Sequence, residues 1–123
     1  MESSEFISYF EKVPAILKHF LGVYSIDTIP KRIKLLNFFV CNLSKKTERG
    51  SHWIAFIKTR PKEIEIFDSL GSNWDLIYAN LNFSENLKIL YNETAFQGID
   101  SISCGKFVIT FLIERLSNIQ VKS

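Results

Sequence analysis

The sequence predicts an α+β fold: a central, largely antiparallel sheet flanked by helices, with residues 1–123 read as a single domain. Three observations carry that expectation. "SHWIAFIKT" and "KEIEIFDSL", rich in branched and aromatic residues, meet at an Arg60-Pro61 turn as a β-hairpin would. Phe6, Ile7, Phe10, Val13, Ile16, Leu17 and Phe20 recur at helical spacing. Toward the other end, the apolar run that opens at Cys104 reads as a buried helix.

Taken in chain order, the amphipathic helical stretch covers residues 3–20, with a break or kink at Pro14. "IPKR" then turns the chain into "IKLLNFFVCNL", residues 33–43, a composition suited to a buried strand. The loop "SKKTERG" follows, and its Lys45, Lys46 and Arg49 are expected on a solvated surface. The hairpin comes next. "SNWDLIYANL" then reads as a helix starting at Ser72 or Asn73, and "NLKILYN" as another strand. The final helix is expected from Cys104 to Leu116.

Composition removes several function classes. Apolar residues make up 46% and charged residues 23%, the proportions of an ordinary globular domain rather than a disordered chain. A net charge of +2 permits weak contact with DNA without demanding it. No run reaches the ~18 apolar residues of a membrane span, so no membrane contact is expected. "MESSEFISYFEK" is acidic and amphipathic, which is not the pattern of a secretory signal. Cys41 and Cys104 make no disulfide framework, and neither cysteines nor histidines show metal-ligand spacing. No metal and no cofactor are expected.

The hairpin is the most informative segment. If its turn centres on Arg60, Phe56 opposes Ile64, Ile54 opposes Ile66, and His52 opposes Asp68. One face then carries four apolar residues and ends in an imidazole beside a carboxylate, within hydrogen-bond reach. Cys104 supplies the third component. At a helix start, the partial positive charge and the N–H groups favour thiolate, and Gly105 leaves the approach uncrowded. Taken alone, Cys104 reads as a buried thiol, His52 as a structural histidine and Asp68 as a turn residue. Together they are a nucleophile, a base and an orienting acid. Gln97, seven residues before Cys104, is placed to donate to an oxyanion alongside the Cys104 backbone N–H. His19 has no evident carboxylate partner and is the weaker candidate base. Trp53 either lines the substrate cleft or packs on the other face with Ala55 and Ile57. Cys41 is expected to be a core thiol.

The order His, Asp, Gln, Cys resembles the adenovirus-type (adenain-like) cysteine proteases and their relatives in virophages and large DNA transposons. The resemblance rests on "FLGVY" at Phe20–Tyr24, "HW" at His52–Trp53, "FDSLG" at Phe67–Gly71 and "QGIDSISCGKF" at Gln97–Phe107. SUMO-specific proteases share the order but usually place the glutamine six residues before the cysteine. The gap of seven here is closer to the adenovirus branch. Asp68 stands where adenoviral enzymes commonly carry Glu, and either carboxylate can orient a histidine. The resemblance implies a papain-like fold and a cysteine endopeptidase that cleaves capsid or other virion precursor proteins beside Gly or small residues. It implies action in the virion and host cell interior, as a monomer, with a peptide or DNA as activator. No cysteine lies between Asp68 and Cys104, so the disulfide-linked peptide activation of the adenoviral enzymes is not expected. Two other readings fit the same residues: an isopeptidase acting on ubiquitin-like modifiers, and a non-catalytic binding module on the protease fold.

Overall fold

Sheet order follows chain order. The computed structural model describes residues 3–43, 52–68, 74–92 and 108–117. Five strands, β1 (Phe20–Ser25), β2 (Phe38–Asn42), β3 (Trp53–Arg60), β4 (Glu63–Asp68) and β5 (Lys88–Tyr91), lie side by side in that sequence. β3 runs antiparallel to both its neighbours, whereas β1 pairs parallel with β2 and β5 parallel with β4. The fold is therefore α+β, and the expected largely antiparallel sheet is corrected to a mixed one. Its antiparallel part is the central β2–β3–β4. Parallel neighbours need crossovers, and here these are residues 26–37 and the segment containing α3 (Trp74–Ala79).

Each face of the sheet has its own core. On one side, α1 (Ser3–Glu11) and α2 (Pro14–Leu17) bring Phe6, Phe10 and Ile16 onto Phe38, Val40, Trp53, Ala55, Ile57 and Phe67. Residues 108–117 are helical (α4) and cover the same side with Val108, Ile109, Leu112 and Leu116. On the other side, Ile26 and Ile33 from the first crossover and Ile77 from α3 pack on Phe39, Cys41, Ile54, Phe56, Ile64 and Ile66. Stacking of Phe39 on Phe56, 4.5 Å between ring centres, ties β2 to β3 there. The break expected at Pro14 is present: Pro14 is the first residue of α2, where its missing N–H goes unused.

Two segments depart from the sequence reading. The run 33–43 forms a strand only from Phe38, because Asn37 closes a turn on Lys34: its backbone N–H bonds the Lys34 carbonyl and its side-chain oxygen accepts from the Lys34 N–H. Leu36, at φ 69°, occupies the left-handed region within that turn. The helical reading to residue 20 stops short, since Phe20–Ser25 is an edge strand. Two of its residues, Leu21 and Gly22, stand against the single Phe39 of β2, and Gly22 takes the φ of +132° that this irregularity requires.

The hairpin register is set by a bulge. The turn is Pro61-Lys62, with Arg60 opposite Glu63. Beyond it Lys58 and Thr59 together face Ile64, and regular pairing resumes at Ile57 with Glu65. An unbroken ladder from this turn would set Asp68 opposite Ala55, on the face covered by α1 and α4. The extra residue returns Asp68 to Ile54 and to the other face. The expected pairs are thus corrected by two positions, to Phe56 with Ile66 and Ile54 with Asp68. The expected face survives, because a shift of two preserves side-chain alternation.

Candidate active site

β1, β2, β4 and β5 all point the same way, so their C-terminal ends share one rim of the sheet with the start of β3. His52 and Asp68 meet at that rim. The His52 carbonyl accepts from the Leu43 N–H at 3.0 Å, extending the β2–β3 ladder one step beyond Trp53. Asp68 ends β4, one diagonal step away. His52 Nε2 and Asp68 Oδ1 are 2.6 Å apart, a charge-assisted distance. The pairing expected from sequence is therefore present, made diagonally rather than straight across.

Asp68 is fully buried, and a buried carboxylate is costly unless its oxygens are bonded. Oδ1 has His52, and Oδ2 accepts the Tyr91 phenol at 2.6 Å. The backbone is held as firmly. Asn92 Oδ1 accepts the Asp68 N–H at 2.6 Å, while Asn92 Nδ2 donates to the Asp68 carbonyl. An amide side chain thus completes the ladder just past the last pair of β4 and β5. Among the described residues, no buried side-chain nitrogen or oxygen lacks a hydrogen-bond partner. Because an ionised carboxylate only accepts, Nε2 carries the proton toward Asp68, and Nδ1 is the basic nitrogen of the neutral ring. The arrangement can orient an imidazole, hold its tautomer and stabilise the imidazolium formed when Nδ1 takes a proton.

Sequence alone does not point to Tyr91 and Asn92 as site residues. "NLKILYN" reads correctly as a strand, but its pairing with β4 is parallel and non-local. The available signal was two hydrogen-bonding residues at the end of a strand, of use only once that end is known to adjoin Asp68.

α4 lies on the opposite face and has a definite direction. Phe111 stacks on Phe67 at 4.7 Å between ring centres, and Arg115 holds the Glu65 carboxylate through Nε and a terminal nitrogen at 2.9–3.0 Å. The Glu65 contact raises the Arg115 pKa against the opposing effect of burial, and the nearby Glu114 charge adds to the rise. Four helix residues rise about 6 Å and two strand residues about 6.6 Å, so the two contacts run in step. α4 is antiparallel to β4, and its N-terminal direction leads to the rim that carries Asp68. Cys104, Gln97, the start of the final helix, the helix start at Ser72 or Asn73, and the basic loop with Lys45, Lys46 and Arg49 lie outside the described residues.

The remaining candidates have clear positions. Trp53 is 3% exposed, edge-on to Phe6 at 4.9 Å, and belongs to the core beneath α1. Of the two roles read from sequence, this position is the packing one. His19 stands at the opposite end of the sheet, its carbonyl accepting the Phe38 N–H, and burial followed by the nearby Lys18 charge lowers its pKa. Cys41 is buried on β2, and burial pushes its thiol far up, as a core thiol requires. Among the described residues, no three His, Cys, Asp or Glu side chains group to hold a metal ion, and no helix is long and apolar enough to cross a membrane. Comparison with protein-family models gives no match to this chain, and comparison with curated proteins gives none either.

Proposed function

We propose that the chain is a cysteine endopeptidase with Cys104 as nucleophile, His52 as base and acid, Asp68 as orienting carboxylate and Gln97 as oxyanion donor. The observation that carries this reading is the His52–Asp68 bond on a fully buried carboxylate, at the rim to which the N-terminal direction of α4 leads. Cys104 stands four residues before Val108 in sequence. That is at most about 14 Å of extended chain. The thiol would meet His52 over the end of the sheet, since the helix and the His–Asp pair occupy opposite faces.

In the reaction, His52 Nδ1 takes the Cys104 proton, and the thiolate adds to a peptide carbonyl. The oxyanion is held by the Gln97 amide and the Cys104 N–H. The imidazolium gives its proton to the leaving amine. His52 then takes a proton from water, which cleaves the thioester and restores the thiol. Asp68 keeps the ring oriented throughout. The resemblance to adenovirus-type proteases supports a papain-like fold and virion precursor proteins as substrates, cut beside Gly or small residues in the virion or host cell interior.

The test is co-expression with candidate virion precursors, followed by mass spectrometry of new termini, for the native chain and for Cys104→Ala. The native chain is expected to generate new termini and to be labelled at Cys104 by a thiol-directed alkylator, and Cys104→Ala to do neither. Proteolysis retained by Cys104→Ala overturns the assignment. Cleavage of ubiquitin-like fusions in place of virion precursors would move it to the isopeptidases.

A further inference from the structure

Asp68 has two carboxylate oxygens, and the proposed chemistry uses only one of them. Oδ1 faces His52, whereas Oδ2 accepts the phenol of Tyr91. Tyr91 ends β5, and its ring lies against Trp74 at the start of α3, 5.0 Å between ring centres. The carboxylate torsion of aspartate is broad and roughly twofold, so the side chain alone does not fix which oxygen faces a neighbour. A donor on the second oxygen does.

We propose that Tyr91 is a positioning residue for His52: its phenol, braced by Trp74, holds the Asp68 carboxylate in the rotation that presents Oδ1 to Nε2. The catalytic consequence rests on the protease reading, but the effect on His52 exists whether or not the chain cleaves a substrate. A carboxylate that already accepts a short O–H bond has less charge to offer an imidazolium. Removing the phenol O–H therefore strengthens the hold of Asp68 on the His52 proton. Among the described residues, the other titratable groups on this side of the sheet include Tyr24 on β1, Cys41 on β2, Lys58 on β3 with its partner Glu85, Asp27 in the first crossover, and Asp75 and Tyr78 on α3. None is an imidazole, the group whose charge ordinarily changes near neutrality. Cys104, which the protease reading sets against the ring, is expected to couple to it, and Cys104→Ala removes it.

The experiment follows the imidazole resonances of the full chain in a Cys104→Ala background, titrated across about pH 4 to 9. The chain has two histidines, so His19, at the far end of the sheet, serves as internal reference. Tyr91→Phe is expected to raise the His52 midpoint by roughly half a unit to one unit and leave His19 in place. Tyr91→Leu, which also loses the ring contact with Trp74, should give the same shift at a lower Tm. A His52 midpoint unmoved in both variants, or one that tracks Tm, overturns the proposal. With Cys104 present, the acid limb of kcat/KM should move up equally in Tyr91→Phe. A shifted midpoint with no proteolysis by the native chain would uphold the role of Tyr91 and sink the protease reading instead.

Discussion

Lys58 near the hairpin tip and Asp68 at the opposite rim are both buried charges on the same three-stranded core, and they are satisfied by partners of different kinds. Lys58, 6% exposed, donates from Nζ to the Ile33 carbonyl at 2.9 Å and to the Glu85 carboxylate. One partner is a backbone carbonyl of the first crossover, the other a surface acid of the second. The Lys31 carbonyl accepts the Ser84 N–H at 2.8 Å close by, so this end of the sheet is stitched to both crossovers. Asp68 is held instead by an imidazole, a phenol and a side-chain amide. Burial of a charge asks only for hydrogen bonds, and Lys58 meets that demand with groups that pin the fold. At Asp68 the bonding groups include an imidazole, a ring that can both donate and accept a proton. Burial alone does not mark a site; the chemistry of the partners does.

The comparison can be broken most directly at Asp68. Asp68→Asn keeps shape and loses the charge that orients His52, and is expected to lower kcat on a cleaved precursor by ~10²–10⁴-fold with a smaller change in thermal unfolding. Turnover close to that of the native chain would reduce Asp68 to a second structural pin. The reverse profile belongs to Lys58→Met. It orphans the Ile33 carbonyl and should cost about 1–3 kcal/mol in denaturant unfolding, with kcat/KM unchanged. A loss of activity without a loss of stability would erase the distinction between the two ends. Glu85 gives the smallest effect. Its hydrogen bond to Lys58 is the leading cause that holds its pKa below the ordinary carboxylate value. A lowered folded-state pKa contributes stability above the unfolded value of about 4.3, lost as pH falls through the folded one. Melting curves of Glu85→Gln against pH should therefore show a shallower acid decline than the native chain. Identical slopes would leave Glu85 outside the pin.

The hairpin and its apolar face were legible because Ile54, Phe56, Ile64 and Ile66 recur at a spacing of two, a local signal. The His52–Asp68 pair was legible for the same reason, although its exact register was not. The turn sits one step later than Arg60-Pro61, and the bulge at Lys58–Thr59 compensates for the change in face. Neither leaves a mark in composition. β1 was hidden because Phe20 continues the helical spacing before it and Gly22 interrupts the strand pattern. The first half of "IKLLNFFVCNL" is as apolar as the second, and only the Asn37–Lys34 turn separates them. Parallel pairing, and with it the approach of Tyr91 and Asn92 to Asp68, depends on crossovers and has no local periodicity to read.

The bulge carries a consequence for how this chain can vary through insertion and deletion. Hairpin tips ordinarily accept single-residue changes, being exposed and far from function. Here the strand between the tip and His52 acts as a parity counter, converting a length change into a choice of face roughly 20 Å away. Relatives that keep the His–Asp pair should therefore differ in this hairpin by even numbers of residues, or carry an odd change matched by the loss or gain of a bulge.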